Sequence, residues 1–165
     1  MVKDNKVDIG IVASQINATS LHCEPLFDDH LCLVLPSGHP LIDQEEITMK
    51  DLDELPMILF SKGTWYRILM DELFNRYTIF PNVQMEIDSF EAIIRLVSTC
   101  KTATLLPKSY LREDLIQNNE LVLRQLHELE QTKRTTSLIY SDYSADNAES
   151  MKFVTQAIQY FAKRK

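Results

Sequence analysis

Apolar residues in this chain come in short unbroken runs separated by segments of helical period, and the two patterns take turns along the sequence. VDIGIV (7–12) is a β-branched run stopped by Ala13-Ser14-Gln15, and it predicts a buried strand. SLHCEPLF (20–27) and HLCLVLP (30–36) flank Asp28-Asp29 and read as an adjacent pair of strands. Pro36 cannot donate to a strand ladder, Gly38 tolerates positive φ, and Pro40 pushes His39 toward an extended conformation, so a turn follows. MKDLDELP (49–56) allows at most one helical turn before Pro56. PMILF (56–60) is again a continuous apolar strand. After SKGT comes WYRILMDELFNRY, in which Ile68, Leu69, Leu73 and Phe74 form a helical stripe.

The alternation continues to the end. VQMEID (83–88) reads as a strand, and Phe90, Ile93, Ile94 and Val97 then recur at helical spacing, with Asp88 or Ser89 as N-cap and Glu91 in the first turn. TATLLP (102–107), LVLRQL (121–126) and TTSLIYS (135–141) are further strands, with a short helix around KSYLREDL and a polar connection HELEQTKR between them. In the closing NAESMKFVTQAIQYFAKR, one helix face carries Met151, Val154, Ile158 and Phe161. Strands alternating with helices imply an α/β protein with largely parallel sheets. No repeat or low-complexity tract interrupts the pattern.

Composition narrows the class. At 165 residues the chain fits one ordinary domain or two small lobes that share strands. With 45% hydrophobic and 25% charged residues it reads as a globular protein. No apolar stretch approaches the roughly 18 to 20 residues of a membrane helix. The N-terminal MVKDNKVDIGIV lacks the apolar core of a signal peptide, and Cys23, Cys32 and Cys100 are scattered without metal-ligand spacing. Reduced thiols in the cytoplasm and no zinc site are expected. A net charge of −7 has the wrong sign for a broad phosphate-binding face, so the chain alone is not expected to bind DNA.

The candidate chemistry is sparse. His22, His30, His39 and His127 sit beside no nucleophile elbow and in no H-E-x-x-H spacing, and they read as surface or turn residues. Three glycines, Gly10, Gly38 and Gly63, cannot build a G-x-G-x-x-G or a P-loop. The acidic groups Asp28-Asp29, Glu45-Glu46 and Asp51-Asp53-Glu54 fall in polar connections, where solvated charge is the usual explanation. No cofactor or metal is expected. What remains is a set of hydroxyls after strands: Ser14, Ser61, Thr64 and Ser89. Two of these loops lead into helix N-termini, whose free N–H groups attract anions, and ligands of open α/β sheets lie beyond the carboxyl ends of strands. An ordinary helix cap explains each hydroxyl singly. Together they argue for a small-ligand pocket more than for a catalytic site.

In this order VDIGIV, EPLFDDHLCLVLPSGHPL, ITMKDLDELPMILF, the helix around Tyr66-Arg67, FPNVQMEIDSFEAIIRLV and CKTATLLP resemble the effector-binding domain of LysR-type transcriptional regulators. The resemblance spans residues 7 to about 110, with a looser tail. His39 matches the family's HPL turn after a strand, which implies a structural role. Thr99-Cys100-Lys101-Thr102 stands where the family is usually glycine-rich. The family's winged helix-turn-helix, linker helix and first elements of lobe I have no counterpart in the residues read here.

The resemblance implies a two-lobed periplasmic-binding-protein-like (type II) α/β fold, with lobe II complete in residues 16–134 and lobe I partial in 1–15 and 135–165. The implied function is that of a non-enzymatic sensor in a transcription regulator, with DNA contacted only through a helix-turn-helix domain absent from this chain. A small effector, expected to be anionic, then binds between the lobes, with Ser14 and Gln15 on one side and Ser61, Lys62, Thr64, Thr102 and Thr104 on the other. Apolar residues Ile9, Ile11, Ile139 and Phe161, left without lobe I partners, imply a homo-oligomer, and no membrane contact is expected. A solute-binding protein of the same shape is the rival reading, followed by an α/β enzyme acting on a small molecule.

Overall fold

The structure is a computed structural model that describes residues 1–4, 6–13 and 19–163. Its strands in chain order are β1 (Ile9–Val12), β2 (Leu21–Asp29), β3 (Leu31–Pro36), β4 (Pro56–Leu59), β5 (Asn82–Glu86), β6 (Thr104–Pro107), β7 (Leu121–Arg124) and β8 (Arg134–Ser141). The α-helices are α1 (Trp65–Tyr77), α2 (Phe90–Cys100), α3 (Glu113–Asn118), α4 (Asp142–Ala145) and α5 (Ala148–Ala162). The chain divides into two compact units, Met1–Asp29 with Arg134–Lys165, and His30–Lys133.

The first unit is built on a three-stranded antiparallel sheet in the order β1-β8-β2. Grouping residues 16–134 in one lobe is corrected over Leu21–Asp29 by this ladder, because β2 pairs with β8 from Leu21↔Ser141 to Asp29↔Arg134. The register slips between Pro25 and Phe27, next to a proline that has no N–H to contribute. α5 covers the sheet with the face expected of it. Val154 is buried against Leu26, Leu138 and Tyr140, and Met151, Ile158 and Phe161 pack beside them. Phe161 stacks on Phe27 at 5.1 Å between ring centroids. Of the four apolar residues expected to lack partners, Ile139 is buried and Ile9 and Phe161 are packed on this core, leaving Ile11 exposed. VDIGIV is thus a partly exposed edge strand and not a buried one.

In the second unit β3 lies between β6 and β7 and is antiparallel to both, and β4 pairs in parallel with β5. A parallel bridge, Met57↔Ala103, joins the two sets through Ile58 N–H to Ala103 O at 2.9 Å and Ala103 N–H to Pro56 O at 3.0 Å. The strand sequence across the unit is therefore β7-β3-β6-β4-β5. This corrects two expectations. β2 and β3 are not neighbours, since the chain passes from one unit to the other at His30. The sheets are also mostly antiparallel, with parallel pairing confined to β4–β5 and the bridge. Every residue of β3 is buried, and burial on both faces follows from cover, whatever the strand direction.

Leu33, Leu35, Met57, Ile58 and Leu105 from the strands, with Met70 from α1 and Ile93 and Ile94 from α2, form the fully buried centre of this unit. Thr64 caps α1, accepting the Arg67 N–H, and Ser89 caps α2, accepting the Ala92 N–H. Both helices end on a residue in the left-handed region, Thr78 at φ 56° and Lys101 at φ 53°. His39 has the structural role expected of it. Its Nδ1 accepts the Leu41 N–H at 3.2 Å and starts a 3-10 turn over Pro40–Asp43, and burial holds its imidazole below the usual histidine range.

Candidate functional site

Parallel pairing decides which residues meet. Leu59 stands opposite Glu86 at the ends of β4 and β5, and the Ile87 N–H donates to the Leu59 carbonyl at 2.9 Å. The loops that leave these strands, 60–64 and 87–89, therefore start side by side, and each runs into a helix N-terminus. The 61–64 loop is closed on itself. The Thr64 hydroxyl donates to the Ser61 carbonyl at 2.9 Å and accepts the Arg67 N–H at 3.3 Å, and the Thr64 N–H also reaches Ser61 O at 3.3 Å. Gly63 at φ +86° makes that turn possible. The first turns of α1 and α2 direct N–H groups and the positive ends of two helix dipoles to this edge.

The charges here are organised from below. Arg67 is buried, its Nη1 donating to Phe60 O at 2.8 Å and to Glu86 Oε1 at 2.9 Å, and its Nε to Asp71 Oδ1 at 2.8 Å. Burial works against the guanidinium charge, but the hydrogen bonds to Asp71 and Glu86 outweigh it and keep Arg67 protonated. The Arg67 hydrogen bond holds the Glu86 carboxyl below the usual carboxylate range, helped by the charges of Arg67 and Lys62. Aromatic rings line the same edge: Phe60 packs on Tyr66 (5.4 Å) and Phe90 (4.8 Å), and Tyr66 meets the exposed Trp65 at 4.9 Å. Phe90 stacks on Tyr110 at 3.9 Å, just past the carboxyl end of β6, and a shallow cavity of about 350 Å³ lined by Glu91, Ser109, Tyr110, Arg112 and Leu115 adjoins them.

The predicted site residues separate into three groups. Ser14 and Gln15 lie outside the described residues. Ser61, Lys62 and Thr64 come together in one turn. Thr102 and Thr104 do not join them. The Met57↔Ala103 bridge sets Thr102 level with Pro56, at the amino end of β4, about 10 Å along the strand from Leu59 at the usual rise per residue. Thr102 follows the C-terminal turn of α2, its N–H donating to Val97 O at 3.3 Å, and carbonyl groups face it there. Thr104, opposite Val34, is wholly buried, and the hydroxyls of both threonines are buried without a hydrogen-bond partner.

The contact set read from the sequence leaves out Ser89, Glu86 and the aromatic rings. Ser89 was legible as a hydroxyl after a strand. Only the parallel β4–β5 pairing sets it beside Ser61. Among the described residues no three His, Cys, Asp or Glu side chains are grouped to hold a metal, and no helix is long and apolar enough to cross a membrane.

Comparison with known proteins adds to this geometry. The family described as LysR substrate binding domain matches residues 1–162. A probable nitrogen assimilation transcriptional activator of Synechocystis sp. (strain PCC 6803) is 31% identical over 129 residues, which is 76% of this chain and 41% of that protein. The chain spans half or less of the length of the curated relatives it matches. Among solved structures, the CcmR regulatory domain of Synechocystis PCC6803 in complex with 2-PG superposes with a TM-score of 0.80 at 21% identity, covering 97% of this chain and 76% of that one. The effector binding domain of QuiR in complex with shikimate superposes with a TM-score of 0.74 at 24% identity, covering 98% and 75%. At these identities the two structures speak for the fold.

Proposed function

This chain belongs to the LysR substrate-binding domain family, and we propose that it is the effector-sensing part of a LysR-type transcription regulator. Its two-lobed α/β fold is that of the family's effector-binding domains. The single observation that carries the ligand assignment is the pairing of two capped helix N-termini, Thr64 of α1 and Ser89 of α2, at the carboxyl ends of β4 and β5. Such an edge offers N–H donors and positive dipole ends to an anion, and Lys62 adds a cation. The ligand is a small anion with an apolar body: the donors take its charged group, and Trp65, Tyr66 and Phe90 give its carbon skeleton a surface to lie on. Similar domains bind 2-PG and shikimate, and shikimate is a carboxylate. Ser14 and Gln15, which follow β1 in the sequence, remain proposed contacts.

The protein so described is a sensor and not an enzyme. Effector affinity that differs between two arrangements biases DNA binding through a helix-turn-helix outside these residues. Self-association through the β1 edge, where Ile11 is exposed, belongs to the same proposal. The cytoplasm is the compartment it implies. Thermal unfolding in the presence of a panel of small carboxylates and phosphates tests the reading. A ligand that binds the native state raises the midpoint in proportion to the logarithm of its concentration. A rise that continues with the logarithm of concentration is expected for at least one member. Midpoints that never exceed those in sodium chloride of equal ionic strength would overturn the reading.

A further inference from the structure

We infer that a second small-ligand site lies beside α1 and the start of β5, a cavity that takes an uncharged primary carboxamide carried on an apolar body. The cavity has a volume of about 300 Å³, with Leu59, Phe74, Ile79, Phe80 and Val83 in its apolar walls and Arg67, Asp71 and Asn75 as polar lining. That volume is at the lower end of the range for ligand pockets. Phe74 and Asn75 stand about 15 Å along α1 from Thr64 at the helical rise per residue. The site is therefore separate from the anion-binding edge and stands whether or not that edge binds its anion.

Arg67 supplies the polar recognition. Its side chain is 6% exposed, and Nε and Nη1 are spent on Asp71, the Phe60 carbonyl and Glu86. Nη2 takes part in none of these bonds, yet it is not one of the enclosed polar atoms that lack a partner, so its N–H groups reach open space. Asp71 likewise accepts from Arg67 through Oδ1 and keeps Oδ2 for another donor. Two groups already bonded to each other thus offer a ligand one donor and one acceptor. The wall opposite is preformed: the Ile79 N–H donates to Phe74 O at 2.9 Å, the Phe80 N–H to Asp53 Oδ1 at 2.8 Å, and the Asn82 N–H to Leu55 O at 2.9 Å. A ligand entering a preformed site loses little to ordering it.

Charge selects the class of ligand. Asp71 and Glu86 bring two negative charges to the single positive charge of Arg67, a local balance of −1 that repels a carboxylate. An ammonium brings only donors and has nothing to accept the Nη2 hydrogens. A primary carboxamide has a carbonyl for Nη2 and an N–H for Oδ2, with no net charge. Its apolar body covers Phe80, whose ring is 68% exposed.

Three probes of one skeleton separate the classes: phenylacetamide, phenylacetate and phenethylamine, titrated into the ¹⁵N-labelled chain. Saturable shifts are expected with phenylacetamide at the amides of Phe74, Asn75, Ile79, Phe80 and Val83, and each charged probe binds there roughly tenfold more weakly, the scale of one unfavourable charge contact. Phe80→Ala trims an exposed wall without touching the core and weakens phenylacetamide about fivefold. In Asp71→Asn the new amide oxygen still accepts from Nε, while a donor replaces Oδ2 and the local charge becomes zero, so phenylacetate binds better than phenylacetamide. Amides 74–83 that stay in place with phenylacetamide would overturn the site. A charged probe that binds the wild-type cavity as tightly as phenylacetamide, or an order of probes unchanged in Asp71→Asn, would overturn the ligand class.

Discussion

The two ends of the second unit's parallel strands carry the same chemistry in sequence and differ in what they can do. Lys62 and Thr64 stand at one end, Lys101 and Thr102 at the other. Beyond β4 and β5 the chain enters helices, so N–H groups and positive dipole ends collect around Ser61, Thr64 and Ser89. At the opposite end α2 terminates at Lys101, and its last carbonyls face Thr102. An anion is favoured at the first end and repelled at the second. A hydroxyl or an ammonium therefore acquires meaning from helix polarity, which residue type alone does not carry.

The largest effect comes from the frame that holds both ends apart. Ile94 of α2 and Leu105 of β6 are buried in the shared core. Ile94→Ala or Leu105→Ala is expected to cost about 3 kcal/mol by lost transfer energy and cavity formation, read from urea midpoints. A loss below the usual range for such sites would mean that the core is looser than these burials require.

Next come paired substitutions of opposite sign. Thr64→Ala removes the α1 cap and is expected to destabilise by about 1 kcal/mol while weakening binding of the small anion that raises the unfolding midpoint. Thr104→Val deletes a buried hydroxyl that has no partner, keeps the shape, and is expected to be neutral or to stabilise by up to about 1 kcal/mol with binding unchanged. Weaker binding in Thr104→Val would restore that residue to the ligand site. Between the two lysines, Lys62→Met is expected to lower the affinity for that anion about threefold at low salt, and less at high salt, while Lys101→Met does nothing. Titration calorimetry at two ionic strengths separates them.

Acid stability gives the smallest effects, in two pH windows. The folded-state pKa of His39 lies below its ordinary value of 6.5, so the unfolded chain binds the proton first. The stability of the neutral ring is whole above about pH 6.5 and declines as pH falls toward the folded value. Protonation also removes the acceptor for the Leu41 N–H. Glu86 has a folded pKa below its ordinary 4.5, so its contribution is present above that pH and is lost as pH falls further. His39→Asn, whose amide can still cap the turn, is expected to flatten the first window, and Glu86→Gln the second. Urea midpoints measured from pH 8 to 3 on each variant show whether the two losses separate in this order.

Much of this was legible beforehand. Ile93, Ile94 and Val97 revealed α2, Met151 with Val154, Ile158 and Phe161 revealed the buried face of α5, and Pro36-Ser37-Gly38-His39 revealed a turn. Strand direction was not, because β3 is buried on both faces and loses the alternation that would mark an antiparallel strand. Pairing partners were hidden for a related reason, since β2 meets β8 across more than 100 intervening residues. The site inherits that limit. Ser61, Lys62 and Thr64 are joined by local turn chemistry and could be found together, whereas Ser89 joins them only through the parallel ladder, and Thr102 leaves them through the Ala103 bridge.

The most direct test of the anion-binding end is an NMR titration of the uniformly ¹⁵N-labelled chain with a panel of small carboxylates and phosphates, followed amide by amide. The expected result is a saturable set of shifts at residues 61–66 and 89–92, with Lys101, Thr102 and Thr104 unmoved. Shifts centred on Lys101 and Thr102, or around His39, with 61–64 and 89–92 silent, would contradict the assignment of the ligand to the carboxyl ends of β4 and β5.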